Sequence, residues 1–349
     1  MGSHETLDHV HAGNAFPDAC FYGATSVCRA PAVFRPLHWP SHCCQALSSL
    51  LPPTTTSPTP TGTRMQSAAA SAPDPVIAAP SGVCCIEGYP HVGTPKGEFV
   101  SIAEVETYVT RPPSKEQENR VIFKLYFPDV WGINDFQNGQ LLCDYFASNG
   151  FLVLALDYFC GDPVTKHRTG NAPNPGFDFE AWKAKHQAFA KVAVPKWIAA
   201  VKAQFVYHTS GTETTKYACV GYCFGAPYVM DCLSSSTSPS PSGLGTHVGA
   251  FGHPAFLNES HFTNCARPLF LSCAETDHTF PAEARHRAEE LLTQRAKEVD
   301  SKGMRFQIQL FSGVSHGFSL RGDMSNPWER YAKEESASGI VRWFKMFMD

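Results

Sequence analysis

From residue 98 onward the chain alternates between short apolar runs and longer stretches with apolar residues at helical spacing. The runs "RVIFKLYFP" (120–128), "FLVLALDYF" (151–159), "YACVGY" (217–222), "HVGAF" (247–251), "RPLFLSC" (267–273) and "RFQIQLF" (305–311) predict strands. Several are apolar without alternation, which suits strands covered on both faces. Between them, residues 136–148, 179–206, 224–234 and 281–299 predict helices, the second interrupted at Pro195. A last helix opens at "SNPWER", where Asn326 caps, Pro327 suits the first turn and Glu329 completes a capping box. "EFVSIAEVETYVTRP" (98–112) predicts an antiparallel hairpin at the leading edge. The alternation as a whole predicts an α/β fold, a mostly parallel central sheet with helices on both faces.

Residues 1–75 carry no such pattern. "LLPPTTTSPTPTGTR" and "SAAASAPDPVIAAP" are rich in Pro, Thr, Ser and Ala. Such a segment buries too little to offset the entropy of ordering, so it predicts a disordered low-complexity extension ahead of a folded domain at 76–349. Met65 is a candidate for the true start, and a cleaved targeting segment with Arg29, Arg35 and Arg64 is the competing reading.

Composition narrows the function classes. A net charge of −4 with both signs interspersed argues against a nucleic-acid groove or a membrane-surface partner. No apolar run is long enough to span a bilayer. The opening "MGSHETLDHVHAGN" lacks the basic and apolar regions of a secretory signal, so the thirteen cysteines predict reduced thiols and a cytoplasmic protein. None take the C-x-x-C spacing that converges on zinc, and neither a metal nor a cofactor is expected.

The candidate chemistry begins at "CVGYCFGAPYV" (219–229). Gly221-Tyr222-Cys223-Phe224-Gly225 follows an apolar run and opens a helix, the setting of the strand–turn–helix elbow that presents a nucleophile. Small residues two before and two after suit a sharp, strained turn. A helix N-terminus also favours a thiolate. A packed core thiol is the competing reading of Cys223 alone. An acid and a base follow in the required order: Asp277 in "CAETDHTFP", after the strand at 267–273, and His316 in "LFSGVSHGFSL", after the strand at 305–311. Both fall at carboxyl ends of predicted parallel strands, where open α/β sheets place their sites. His278 and His253 are alternatives for the base, but neither lies in the loop after the final strand, and ordinary loop or core roles suit them better.

Over residues 82–349 the chain resembles the dienelactone hydrolases, particularly their fungal relatives. The resemblance rests on "CCIEGYPHVGTPKGEF", "YFPDVWGIN", "LDYFCGDP", "GYCFGAPYV", "GHPAF", "ETDHTFP" and "SHGFSLRGD". It implies an α/β-hydrolase fold, a Cys223–Asp277–His316 triad, and an oxyanion hole from the backbone N–H groups of Phe224 and Val130. Two positions depart from the bacterial lactone-cleaving members. Their thiol-contacting glutamate falls on Pro128-Asp129-Val130-Trp131-Gly132, leaving Asp129, or His316 alone, to activate the thiol. Their first carboxylate-binding arginine falls on Gly161, and the second lies one residue away from Arg321. Asp129, Trp131 and Arg321 are therefore thiol-contacting or substrate-binding candidates, with turn, core and solvated-loop roles as their plainer readings. Trp131, Phe224, Tyr158, Phe159, Phe280 and Phe318 line either a pocket or the core.

The reading is a hydrolase that cleaves a lactone or activated enol ester through a thioester. A thiolate leaves more readily than an alkoxide, so simple alkyl esters suit it poorly and peptides are not the expected substrates. A thioesterase or polyketide-tailoring hydrolase is the alternative enzyme. A non-catalytic small-molecule binder on the same fold is the alternative of another class.

Overall fold

Eight strands hydrogen-bond into one sheet: β1 (Glu98–Ile102), β2 (Val105–Thr110), β3 (Ile122–Phe127), β4 (Phe151–Leu156), β5 (Lys216–Tyr222), β6 (Val248–Gly252), β7 (Leu269–Thr276) and β8 (Phe306–Ser315). Their spatial order is β8-β7-β6-β5-β3-β4-β2-β1, parallel except where β2 meets β1 and β4. This is the order and sense of an α/β-hydrolase sheet, with the expected hairpin at its leading edge. The computed structural model describes residues 72–113, 122–205, 208–209, 212–213, 215–234, 245–298 and 304–348. Most of the expected disordered extension, residues 1–71, lies outside the described residues. Asp74 and Pro75 accept hydrogen bonds from the backbone N–H groups of Ser260 (3.1 Å) and Glu259 (2.8 Å). Val76–Ala78 then pairs antiparallel with Leu257–Asn258.

β4 explains why the apolar runs do not alternate. Leu152, Leu154 and Leu156 belong to one apolar cluster with Trp197 of α2 (Phe179–Gln204), Val229 of α3 (Ala226–Leu233) and Leu292 of α4 (Ala282–Glu298). Phe151, Val153 and Ala155 point the other way, into a cluster with Phe146 of α1 (Gln137–Ser148) and Phe344 of α5 (Pro327–Met348). Both faces are thus covered, each large side chain so buried contributing about 1.5–3 kcal/mol. Among the described residues no helix is long and apolar enough to cross a membrane.

Two local expectations are corrected. α2 runs unbroken through Pro195. Proline removes one helical hydrogen bond, but Val194, Trp197 and Ile198 are buried on either side of it, and their packing holds both halves on the sheet. At the start of α5, Asn326 Oδ1 accepts from Trp328 N (3.0 Å), as a cap should. Glu329 does not close a box onto Asn326 N, which bonds Asp323 O instead; its carboxylate takes Asp323 N at 2.8 Å.

Strand register fixes what meets at the carboxyl edge. Gly221 of β5 aligns with Phe127 of β3, and Tyr222 with Gly252 of β6. Cys223 therefore leaves the sheet beside the loops that begin at Pro128 and His253. Thr276 of β7 aligns with Ser315 of β8, so the next residues, Asp277 and His316, emerge side by side.

Candidate active site

Cys223 opens a short 3-10 turn, Cys223–Gly225, that joins β5 to α3. Its φ is +48°, a left-handed conformation costing a non-glycine residue about 1–3 kcal/mol. The glycines make the turn possible. A Cβ on Gly221 would stand 2.5 Å from Gly225 O, and a Cβ on Gly225 would run into Phe127 O at the end of β3. The G-x-C-x-G spacing thus reflects backbone passing backbone on both sides of the cysteine.

Asp277 and His316 meet as the register demands. His316 Nδ1 lies 2.8 Å from Asp277 Oδ1. The same oxygen accepts from Thr279 Oγ1 (2.8 Å), Thr279 N (2.9 Å) and Phe280 N (3.1 Å), which fixes the carboxylate. With Nδ1 occupied, His316 Nε2 is the free nitrogen; it is buried without a hydrogen-bond partner among the described residues. The ligand atoms of Cys85, Cys223 and His316 all lie within 4.8 Å of one another.

Sequence reasoning assigned no role to the two groups that touch the Cys223 sulfur. Ser81 Oγ is 3.2 Å from Cys223 Sγ, and Cys85 Sγ is 3.8 Å from it. Both come from the segment preceding the sheet and roof the thiol, which is 0% exposed. The roof is pinned from three directions: Lys183 Nζ donates to Ser81 O (2.7 Å), Trp131 Nε1 to Cys85 O (2.8 Å), and Arg321 to Cys85 O and Glu87 O. The adjacent cysteines in "CCIEGY" were the available signal. Nothing local connects them to a turn well over a hundred residues away.

Asp129 and Arg321 come together, but as partners of each other. Arg321 Nε stands 2.9 Å from Asp129 Oδ2, and Asp129 Oδ1 accepts from Trp131 N (3.0 Å), so the turn role read for Asp129 is present too. Trp131, Tyr158, Phe159, Phe224, Phe280 and Phe318 are all buried in the apolar clusters. Gly161, at φ +70°, has nothing within 4 Å of where a Cβ would sit. Val130 directly follows Asp129 in the loop after β3, and Phe224 directly follows Cys223, so both flank the elbow.

Of the alternative bases, His253 Nδ1 bonds Ser319 Oγ (2.8 Å) while its ring lies edge-on to His316. His278 reaches over the roof, its Nε2 3.6 Å from Cys85 Sγ.

The electrostatics favour one negative charge on the thiol pair. Burial acts against charging His316, but the charge at Cys85 and the Asp277 carboxylate outweigh it and push the imidazole up to about 9. Burial also opposes ionising Asp277, yet His316 and the Thr279 donors hold it below its ordinary value. The Cys223 hydrogen bond, with help from the His316 charge, pulls Cys85 down against its burial. Burial and the Cys85 charge push Cys223 up. One thiolate is therefore favoured across the two sulfurs and a second is opposed.

Residues 105–348 match the dienelactone hydrolase family. The chain belongs to that family. Dienlactone hydrolase 1 of Gibberella moniliformis (strain M3125 / FGSC 7600) is 37% identical over 275 residues, which span 79% of this chain and 97% of that protein. Hydrolase tropI of Talaromyces stipitatus is 35% identical over 271 residues, spanning 77% of this chain and 97% of the relative. In structure, a putative dienelactone hydrolase from Klebsiella pneumoniae covers 72% of this chain and 99% of its own length, with a TM-score of 0.52 at 12% identity, showing the shared fold. As a dienelactone hydrolase family member, the chain is a hydrolase of esters or lactones.

Proposed function

We propose that Cys223 is the nucleophile of this hydrolase and that it opens a lactone or activated enol ester through a thioester intermediate. The observation that carries this reading is the His316 Nδ1–Asp277 Oδ1 bond of 2.8 Å, which leaves Nε2 free on the side of the two thiols. With His316 already holding a proton and the pair carrying one thiolate, the Cys223 proton passes to the Cys85 sulfur 3.8 Å away, and the Cys223 sulfur so charged forms a bond to the substrate carbonyl carbon. The N–H groups of Phe224 and Val130 receive the oxyanion; one such donor is typically worth about 10²- to 10³-fold in rate. Collapse breaks the carbon–oxygen bond, and the leaving enolate takes the proton from His316. Water then gives its proton to His316, attacks the thioester and restores the thiol. Because Cys223 is fully covered, substrate reaches it only when the Ser81–Glu87 roof shifts.

The test is turnover of p-nitrophenyl acetate with peptide mass mapping. Cys223→Ala should lower the rate by about 10³-fold or more, and the wild-type chain quenched early should carry an acetyl group on the Cys223 peptide. Full activity in the variant would refute the assignment.

A further inference from the structure

We infer that Cys85, Cys223, His316 and His278 form a site for one thiophilic d¹⁰ cation, zinc being the probe, which reversibly shuts the enzyme. The argument is metric. A tetrahedral zinc with Zn–S of about 2.3 Å and Zn–N of about 2.0–2.1 Å sets two sulfurs about 3.8 Å apart and a sulfur and nitrogen about 3.5 Å apart. Cys85 Sγ and Cys223 Sγ are 3.8 Å apart, and Cys85 Sγ and His278 Nε2 are 3.6 Å apart. His316 supplies the fourth direction: its ligand atom lies within 4.8 Å of both sulfurs, and its ring centroid is 4.6 Å from that of His278.

The surroundings suit a metal as well. Among the described residues His316 Nε2 is buried with no hydrogen-bond partner, while Nδ1 is bound by Asp277. That carboxylate–histidine arrangement fixes the tautomer whose Nε2 lone pair can coordinate. Two sulfurs and two imidazoles select a soft or borderline cation over magnesium or calcium. His278 is exposed, which gives a cation in water a first ligand outside the roof. The four residues come from separate loops, so no local spacing in the chain announces them.

On binding, two sulfur–zinc and two nitrogen–zinc bonds form, and the remaining thiol proton and the His316 Nε2 proton leave to solvent, so affinity rises with pH. The metal occupies the Cys223 sulfur and His316 Nε2 together. Occupancy is independent of the roles proposed for these residues; the inhibition that follows rests on them.

The experiment uses the full chain, stripped with a chelator and titrated with zinc against a chromophoric competitor, then with cobalt. We expect one tight equivalent, cobalt d–d bands of a tetrahedral site with a thiolate charge-transfer band, and activity lost on occupancy and restored by EDTA. C85S should weaken that equivalent by at least about 100-fold and diminish the charge-transfer band, and H278A should weaken it by about 10-fold or more. Histidines and cysteines elsewhere, such as His4, His9, Cys43 and Cys44, can add equivalents, so the site is defined as the one C85S removes. As a measurement needing no variant, saturating zinc should protect Cys85 and Cys223 from iodoacetamide, read by peptide mass. Alkylation of both at an unchanged rate, or zinc affinity unchanged in a folded C85S, overturns the site. Zinc binding as expected with activity untouched would instead overturn the inhibition and count against the proposed roles of Cys223 and His316.

Discussion

Arg321 Nε and Asp129 Oδ2 are 2.9 Å apart with neither side chain more than 2% exposed, so a full ion pair is sealed inside the loops beside the elbow. Burial pushes the Asp129 carboxyl up even though Arg321 and the Trp131 N–H pull it down. Removing one partner of such a pair typically costs about 3–5 kcal/mol, because the other charge stays buried. Arg321→Gln should therefore lower unfolding free energy by about that amount in urea titrations. The double variant D129L/R321M should recover part of the loss. Recovery stays partial because the Glu87 carbonyl loses its Arg321 donor and the Cys85 carbonyl keeps only Trp131 Nε1.

The His316–Asp277 pair predicts a pH dependence with a definite sign. In the folded chain His316 holds its proton up to about 9, whereas an unfolded chain releases it near about 6.5. Its stabilisation is therefore complete below about 6.5 and is lost as pH rises towards 9. Asp277, whose carboxyl is depressed, contributes the opposite limb: its stabilisation is present above the ordinary carboxylate range and fails as pH falls through its folded value. Urea unfolding at several pH values should show wild-type stability exceeding that of H316Q by at most about 3 kcal/mol at pH 6. The gap should narrow by pH 9.5. A constant gap would refute the shift.

Lys124 offers a contrasting test away from the site. It is fully buried in β3, its Nζ has no hydrogen-bond partner among the described residues, and it lies 2.8 Å from the Phe146 ring centroid. Burial drives its pKa well down, so folding is penalised wherever an unfolded lysine would be charged. Lys124→Met should raise stability by a few kcal/mol, most at low pH, and remove the gain that the wild type shows on approaching about pH 10.

At the elbow, G225A should be the harsher of the two glycine changes. Its new methyl group meets the fixed backbone of β3 at Phe127, whereas that of G221A meets the Gly225 carbonyl and the Val229 side chain, which can partly give way. Both should destabilise by about 1–3 kcal/mol or more. Melting temperature and p-nitrophenyl acetate turnover together should rank G225A lowest.

These tests mark where the chain was readable. Cys223, Asp277 and His316 each follow a strand directly, so apolar runs and small neighbours made their positions at the sheet's edge legible locally. The layered sheet was equally legible, since β4 is apolar on every residue and both its faces are covered. Pro195 misled because packing of Trp197 and its neighbours overrides a local preference. Ser81 and Cys85 were illegible because they reach the sulfur through long-range packing, held by Lys183, Trp131 and Arg321 from three other parts of the chain. The Asp129–Arg321 pairing was hidden likewise: each residue was visible, but which charge it would meet was not.

The roof has a bearing on where this enzyme may be cut. The stretch matching the family begins at residue 105, but Ser81 and Cys85 lie upstream of it. A fragment trimmed to the matching region would keep Cys223, Asp277 and His316 and still lose the two groups that rest on the Cys223 sulfur. It would also strand the Arg321 and Trp131 donors. Expression boundaries, and comparisons of activity between truncated relatives, are therefore best drawn upstream of Asp74, whose carboxylate accepts from Ser260 N.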